Sequence, residues 1–272
     1  VSSFGYSGTI AHAVLSRASA PSAQSVLSPL LYKRRDFSWL EQARPGLRTS
    51  AALGVRMSES ASAIEWQRKV GTGERAFHSG HQIGYVRLLA GTSYIEIVRA
   101  AVYAELGKQS FQIDQTTFHT FLFLDEDLCD IQLRIVMDRQ TEHVSISSQR
   151  DDQIGWTAHT EMRANLHKMA PQAAIDVTSA QTRCVDKIAK ESFYAAIGNN
   201  YQGEFRSMQE SWVQTGREVL ARVQFEHMKT EPFLRASAWL DACNQTTILA
   251  WQGQLSAHAT SCIAVQLYGR PY

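Results

Sequence analysis

No apolar run in this chain comes near the roughly 18 residues that a bilayer-spanning helix requires, and no stretch reads as a cleavable signal. An excess of one charge is missing too: 27 Lys and Arg stand against 26 Asp and Glu, a net charge of +1. That balance gives no electrostatic case for nucleic acid or an anionic membrane as the main partner. Cysteine is scarce, with four in 272 residues, at 129, 184, 243 and 262, and no C-x-x-C pair among them. The plain reading is free thiols in a reducing compartment, hence a cytoplasmic protein. A glycine-rich phosphate cradle is also absent. Gly71-Thr-Gly73 offers only two glycines before Glu74 and reads as a turn. What remains is an ordinary soluble composition, 44% hydrophobic and 19% charged, long enough for one large domain or two small ones.

The most informative stretch runs from His78-Ser-Gly-His81 to Gly107. Residues 85–89 mix aromatic, β-branched and apolar side chains and predict a short buried strand. Gly91-Thr92-Ser93 predicts a turn and an N-cap. Beyond it, Ile95, Val98, Val102 and Leu106 recur at helical spacing, and Gly107 is placed to end the helix. Tyr94, Ile97, Ala101 and Tyr103 widen the apolar stripe, as expected of a helix around which a sheet curls. On the residues alone His81 has two readings. It is an ordinary partly buried histidine, or it is a base beside the helix start at Gly91. There, unpaired N–H groups polarise a carbonyl while the imidazole takes a proton from the neighbouring carbon. His78-x-x-His81 also has a spacing seen in metal sites, but no nearby Cys or acidic residue completes it.

Strands are expected at 63–70, 116–123, 130–137, 143–148 and 156–163. The acidic turn Asp125-Glu-Asp127 reads as solvated carboxylates rather than metal ligands. Residues 184–198 read as a strand then a helix, and 211–214 with 219–225 as a hairpin. Between them, Tyr201 and Phe205 are either a core aromatic pair capping a turn or a seat for substrate, since a tyrosine hydroxyl can hold a hydroxyl or carbonyl. Residues 239–251 read as a second apolar helix. Asp241 and Gln245 lie four apart on one face of it, so the amide can orient the carboxyl group. Asp241 is either an ordinary helix-surface carboxylate or, among Trp239, Leu240 and Cys243, a poorly solvated acid with its pKa raised and a proton to give.

These residues resemble the motifs of dehydratase domains in type I modular polyketide synthases. His81 and Gly91 fall on the histidine and final glycine of H-x-x-x-G-x-x-x-x-P-G, with Tyr85 in place of the middle glycine and Ala90 in place of the proline. Tyr201 and Phe205 match Y-G-x-x-F, with the glycine shifted to Gly203. Leu240, Asp241, Ala242 and Gln245 match L-D-A-x-x-Q. The resemblance implies an α+β double hot-dog, two antiparallel sheets each wrapping a central helix. Its first half spans 46–165 with a catalytic His81, 166–182 is a connection, and the second half spans 183–272 with a catalytic Asp241. That second half looks short after its helix, with one candidate strand at 261–267. The implied reaction is dehydration of a 3-hydroxyacyl thioester, held on the phosphopantetheine of an acyl carrier protein, to a 2,3-enoyl thioester. Gly91, Tyr201, Phe205 and Gln245 would bind substrate, and neither a metal nor a further cofactor is expected. The implied partners are the acyl carrier protein, an adjacent ketosynthase and other synthase domains, and a second copy in a homodimer. Two alternatives stay open: a double-bond isomerase or pyran-forming relative, since the first motif is altered, and a non-catalytic scaffold domain.

Residues 1–17 resemble the last active-site motif of ketosynthases, S-S-F-G-x-G-G-T-N-A-H-V, with His12 on its histidine and Ile10 replacing asparagine. No nucleophilic cysteine motif or second histidine motif of that enzyme is visible, so this segment reads as a C-terminal stub. Residues 18–45 read as a linker, rich in Ser, Ala and Pro and then in basic and aromatic residues. With no acyltransferase between stub and dehydratase, the resemblance implies loading in trans, unless two pieces have been joined.

Overall fold

The computed structural model describes residues 2–4, 10–12, 50–107, 111–124, 129–151, 154–165, 176–214, 218–224 and 231–251. The chain divides into two compact units, Val1–Trp39 and Leu40–Tyr272. In the first, β1 (Ser2–Phe4) and β2 (Ile10–His12) pair antiparallel, Ser2 opposite His12. The His12 side chain, the linker at 18–45, the acidic turn at 125–127 and the candidate strand at 261–267 lie outside the described residues.

The second unit begins with β3 (Val55–Glu59), β4 (Ala63–Lys69), α1 (Thr72–His78), β5 (Gln82–Ile83) and β6 (Val86–Arg87). Next come α2 (Gly91–Leu106), β7 (Gln112–Phe118), β8 (Ile131–Asp138), β9 (His143–Arg150) and β10 (Thr157–Asn165). Six of these strands form one antiparallel sheet in the order β3-β4-β8-β9-β10-β7. Strict alternation along β8 puts Ile131, Leu133, Ile135 and Met137 on the face towards α2, with Gln132 and Arg134 on the other. Val144, Ile146, Met162 and Ala164 continue that face on β9 and β10. Opposite them α2 buries Tyr94, Ile97, Val98, Ala101 and Val102. Each large aliphatic side chain fully buried here contributes about 1.5–3 kcal/mol, which is why a helix this apolar sits inside a curled sheet.

The second half contains α3 (Val177–Arg183), β11 (Asp186–Ala189), α4 (Lys190–Ile197), a 3₁₀ turn (Gly203–Arg206), β12 (Met208–Gln214), β13 (Glu218–Val223) and α5 (Pro232–Trp251). Its described strands form an antiparallel sheet in the order β11-β12-β13, against which α5 packs. Phe193, Tyr194, Phe205, Met208, Val213, Ala238 and Leu249 make a second core, and Ala90 from the first half is buried in it. The two long helices, α2 and α5, also pack on each other. The architecture is the expected α+β pair of hot-dogs.

Several local expectations are corrected. Residues 85–89 are not a buried strand. β5 and β6 form a tight hairpin around Gly84 at φ +63°, and Tyr85 at its tip is 93% exposed. The left-handed conformation suits glycine, and Gly84, one place before the motif position held by Tyr85, takes it. Thr92 and Ser93 do not cap α2. The cap is Ala90, at φ −61° and ψ 139°, and both hydroxyls make contacts elsewhere. Gly71-Thr-Gly73 is not a free turn but the start of α1, which carries Glu74 and His78. The strand expected at 116–123 is β7, set earlier, and the connection at 166–182 includes the start of α3. The second long helix starts at Pro232, a full two turns before the stretch read from the sequence.

Candidate active site

His81 follows α1 and precedes the hairpin. Its N–H donates to the His78 carbonyl and its own carbonyl accepts from Leu88 N–H. The ring is buried, with Nδ1 3.1 Å from the Leu88 carbonyl oxygen. A carbonyl only accepts, so Nδ1 carries the proton and Nε2 of the neutral ring keeps its lone pair. Nε2 lies 3.7 Å from Oδ1 of Asp241. The base candidate of the first half and the acid candidate of the second therefore face each other.

Asp241 is buried on α5, and Gln245, one turn on, is buried beside it. Gln245 Nε2 donates to Asp241 Oδ2 at 2.7 Å and to the Phe205 carbonyl at 3.0 Å. The amide therefore ties the carboxyl group to the 3₁₀ turn of its own half. Burial lifts the Asp241 pKa above the usual carboxylate value, an effect opposed by His81 and by the Gln245 hydrogen bond. A carboxyl group so placed favours the protonated, donating form.

Phe205 is fully buried with its ring centroid 5.1 Å from that of His81, and the Tyr201 ring stands 5.5 Å from the same imidazole. Burial, then the nearby Asp241 carboxylate, raises the Tyr201 pKa, so its hydroxyl stays protonated. Asn199 Nδ2 lies 3.4 Å from that hydroxyl. Phe205 offers an apolar wall rather than a polar handle. Gly91 is the first residue of α2. The hydroxyl of Thr92, next to it, donates to the Ser237 carbonyl at 2.9 Å, one turn before Asp241. The helix start and the acid thus lie along one seam between the halves.

Four contributors were not singled out from the sequence as parts of the site. Gly80 meets the second half backbone to backbone, its carbonyl accepting from Gln202 N–H at 2.8 Å. Thr92 makes the clamp just described. His78 and Ser93 bond to each other at 2.9 Å. His78 Nδ1 also lies 3.0 Å from the Glu74 carbonyl, so both ring nitrogens are engaged within the protein. His159 has a similar structural place, between Ser148 Oγ at 2.7 Å and the Thr120 carbonyl at 2.8 Å.

Residues 51–149 match the family model described as the polyketide synthase dehydratase domain. Over that stretch, a little over a third of the chain, the sequence is similar to dehydratase domains. Among solved structures, the dehydratase domain from the CurK module of the curacin polyketide synthase is 21% identical with a TM-score of 0.61, covering 74% of this chain and 75% of that one. The dehydratase domain of a mycocerosic acid synthase-like polyketide synthase is 22% identical with a TM-score of 0.58, covering 71% and 70%. The dehydratase domain from the terminal module of the rifamycin polyketide synthase is 17% identical with a TM-score of 0.61, covering 77% and 79%. At these identities the likeness establishes the double hot-dog fold. For CurK dehydratase, an aspartate-to-asparagine variant and a histidine-to-phenylalanine variant are both described as inactive. No curated protein sequence matches the chain. No described helix is long and apolar enough to cross a membrane.

The altered first motif does not obstruct the approach of His81 to Asp241. Ala90, in the proline's place, has the φ that a proline ring imposes. Tyr85 points away at the hairpin tip, so its bulk does not crowd His81.

Proposed function

We propose that this chain dehydrates a 3-hydroxyacyl thioester on an acyl carrier protein within a multidomain synthase. The observation that carries the reading is the 3.7 Å approach of His81 Nε2 to Asp241 Oδ1 across the seam between the halves. His81, with its proton on Nδ1, takes the C2 proton at Nε2. The first N–H groups of α2, at Gly91, hold the thioester oxygen as enolate charge develops there. As the C3–O bond breaks, protonated Asp241 gives its proton to the hydroxyl, which leaves as water. The alkene then lies between C2 and C3. The proton gained by His81 passes to the Asp241 carboxylate and restores both groups. Tyr201 seats the substrate, Phe205 keeps water from the imidazole, and Gln245 orients the acid. The carrier's phosphopantetheine suffices as cofactor because the thioester itself acidifies the C2 proton. Partners beyond the carrier protein are the neighbouring synthase domains and a second copy of the chain.

Mass spectrometry of a 3-hydroxyacyl carrier protein incubated with the chain tests this. Loss of one water is expected, and it should vanish with His81→Ala or Asp241→Asn. Turnover with no change in mass would replace dehydration by isomerisation. Water loss that survives both substitutions would remove the assignment.

A further inference from the structure

His78 is fully buried, and the roles given to His81 and Asp241 do not use it. It ends α1, whose other end is fixed by an internal ion pair. Arg68 on β4 grips Glu74 through both nitrogens, Nη2 to Oε1 at 2.8 Å, with both side chains buried. From this fixed helix the His78 ring reaches Ser93 Oγ, in the first turn of α2. The tautomer follows from the partners. The Glu74 carbonyl only accepts, so Nδ1 donates to it, and Nε2 must then accept from the Ser93 hydroxyl. Burial pushes the His78 pKa down to about 4, which keeps the ring neutral and Nε2 an acceptor. Phe205 touches this ring as well as that of His81, at centroid distances of 5.7 and 5.1 Å.

We propose that His78 is a positioning residue that locks the His81 loop to the first turn of α2, holding the base and the Gly91 N–H in one frame. His78 lies three positions before His81, and Ser93 two positions after Gly91. The single His78–Ser93 bond therefore spans the base and the carbonyl-binding backbone at close range. Its removal lets the two drift apart without breaking either core. Loss should fall on the chemical step, because orientation of reacting groups is expressed in the transition state. This role rests on the dehydration proposed above.

The test uses the whole chain and a short 3-hydroxyacyl thioester on a carrier protein. His78→Phe keeps the ring volume but removes both nitrogens, Ser93→Ala removes the donor, and His78→Gln returns an acceptor near Nε2. The first two should each lower kcat roughly tenfold, equivalent to about 1.4 kcal/mol, with KM within about twofold. His78→Gln should recover most of the loss. The double variant H78F/S93A should be no slower than either single one, since both remove the same bond. Nitrogen NMR should show His78 as the Nδ1–H tautomer, without titration between about pH 5.5 and 8. Wild-type kcat in folded H78F and S93A, or losses that simply add, would overturn the role. If H78F does not fold, S93A at the wild-type rate overturns it by itself, and S93A slow with H78Q near wild type supports it. A wild-type chain that releases no water ends the dehydration reading and this role together, whereas an active wild type beside an unaffected H78F ends this role alone.

Discussion

Substituting alanine at Gly80 should damage both stability and rate through one carbon atom. A β-carbon at Gly80 would lie 2.5 Å from the Gln202 carbonyl oxygen and 3.2 Å from its carbonyl carbon. Ordinary contact begins at 3.4 Å, so the two backbones must part by about 0.9 Å, the difference between 3.4 and 2.5. Neither is a flexible side-chain end, and Gln202 N–H is bonded to the Gly80 carbonyl at 2.8 Å. Overpacking of this kind costs about 1–3 kcal/mol, and the strained hydrogen bond adds about 0.5–1.5 kcal/mol. For a chain of this length the expected fall in Tm is roughly 5–15 °C. The segment displaced carries Tyr201 and Phe205, which face the His81 ring. A shift near 1 Å in groups that place a substrate lowers turnover by up to about a hundredfold. Calorimetry gives the first quantity. Water release assayed well below the variant's Tm gives the second. Gly73→Ala is the control: no heavy atom lies within 4 Å of its β-carbon, and in α1 it should stabilise by about 0.5–1 kcal/mol. A Gly80→Ala chain with wild-type Tm and wild-type kcat/KM would refute the idea that this backbone contact sets the site.

Three further outcomes are expected. Asp241 holds its proton to higher pH in the fold than in the unfolded chain, so its contribution to stability falls as pH rises above 3.8, its ordinary value. Asp241→Asn should remove that slope and be the more stable protein at neutral pH while losing turnover; denaturant melts at pH 4 and 7 check it. Ala90→Pro should stabilise by about 0.4–1 kcal/mol because the backbone already has φ −61°, and a lowered Tm would show that the ring meets the second core. Arg68→Met should destabilise by about 3–5 kcal/mol in urea melts, since Glu74 is left charged and buried. Restoration by a second change, Glu74→Leu, identifies the lone carboxylate as the cause.

The central helix was readable because Ile95, Val98 and Val102 repeat at the period of a helix face, and so was the Asp241–Gln245 pair, one turn apart. Both are local patterns. The alternation of β8 was equally plain. Helix α1 was not, because Gly71 at its cap and Gly73 in its first turn suggest a loop; the Arg68–Glu74 ion pair and the His78–Ser93 bond hold it, and both are tertiary. Ser93 looked like a cap because Thr and Ser in a turn before an apolar helix often are one. Its hydroxyl is taken by a ring on another helix, and the cap falls to Ala90. Tyr85 looked like strand interior from its apolarity, but the positive φ of Gly84 turns the chain back before it. Gly80 gave no signal at all. A lone glycine acquires meaning only from what approaches it, and Gln202 comes from the other half of the fold.

His81 and Asp241, the proposed base and acid, come from different halves of the fold, so the proposed chemistry needs both halves in place. Catalysis is then a reporter of docking rather than of folding. On gentle warming, water release should fade as the seam loosens, while the six-stranded sheet still gives its full circular dichroism.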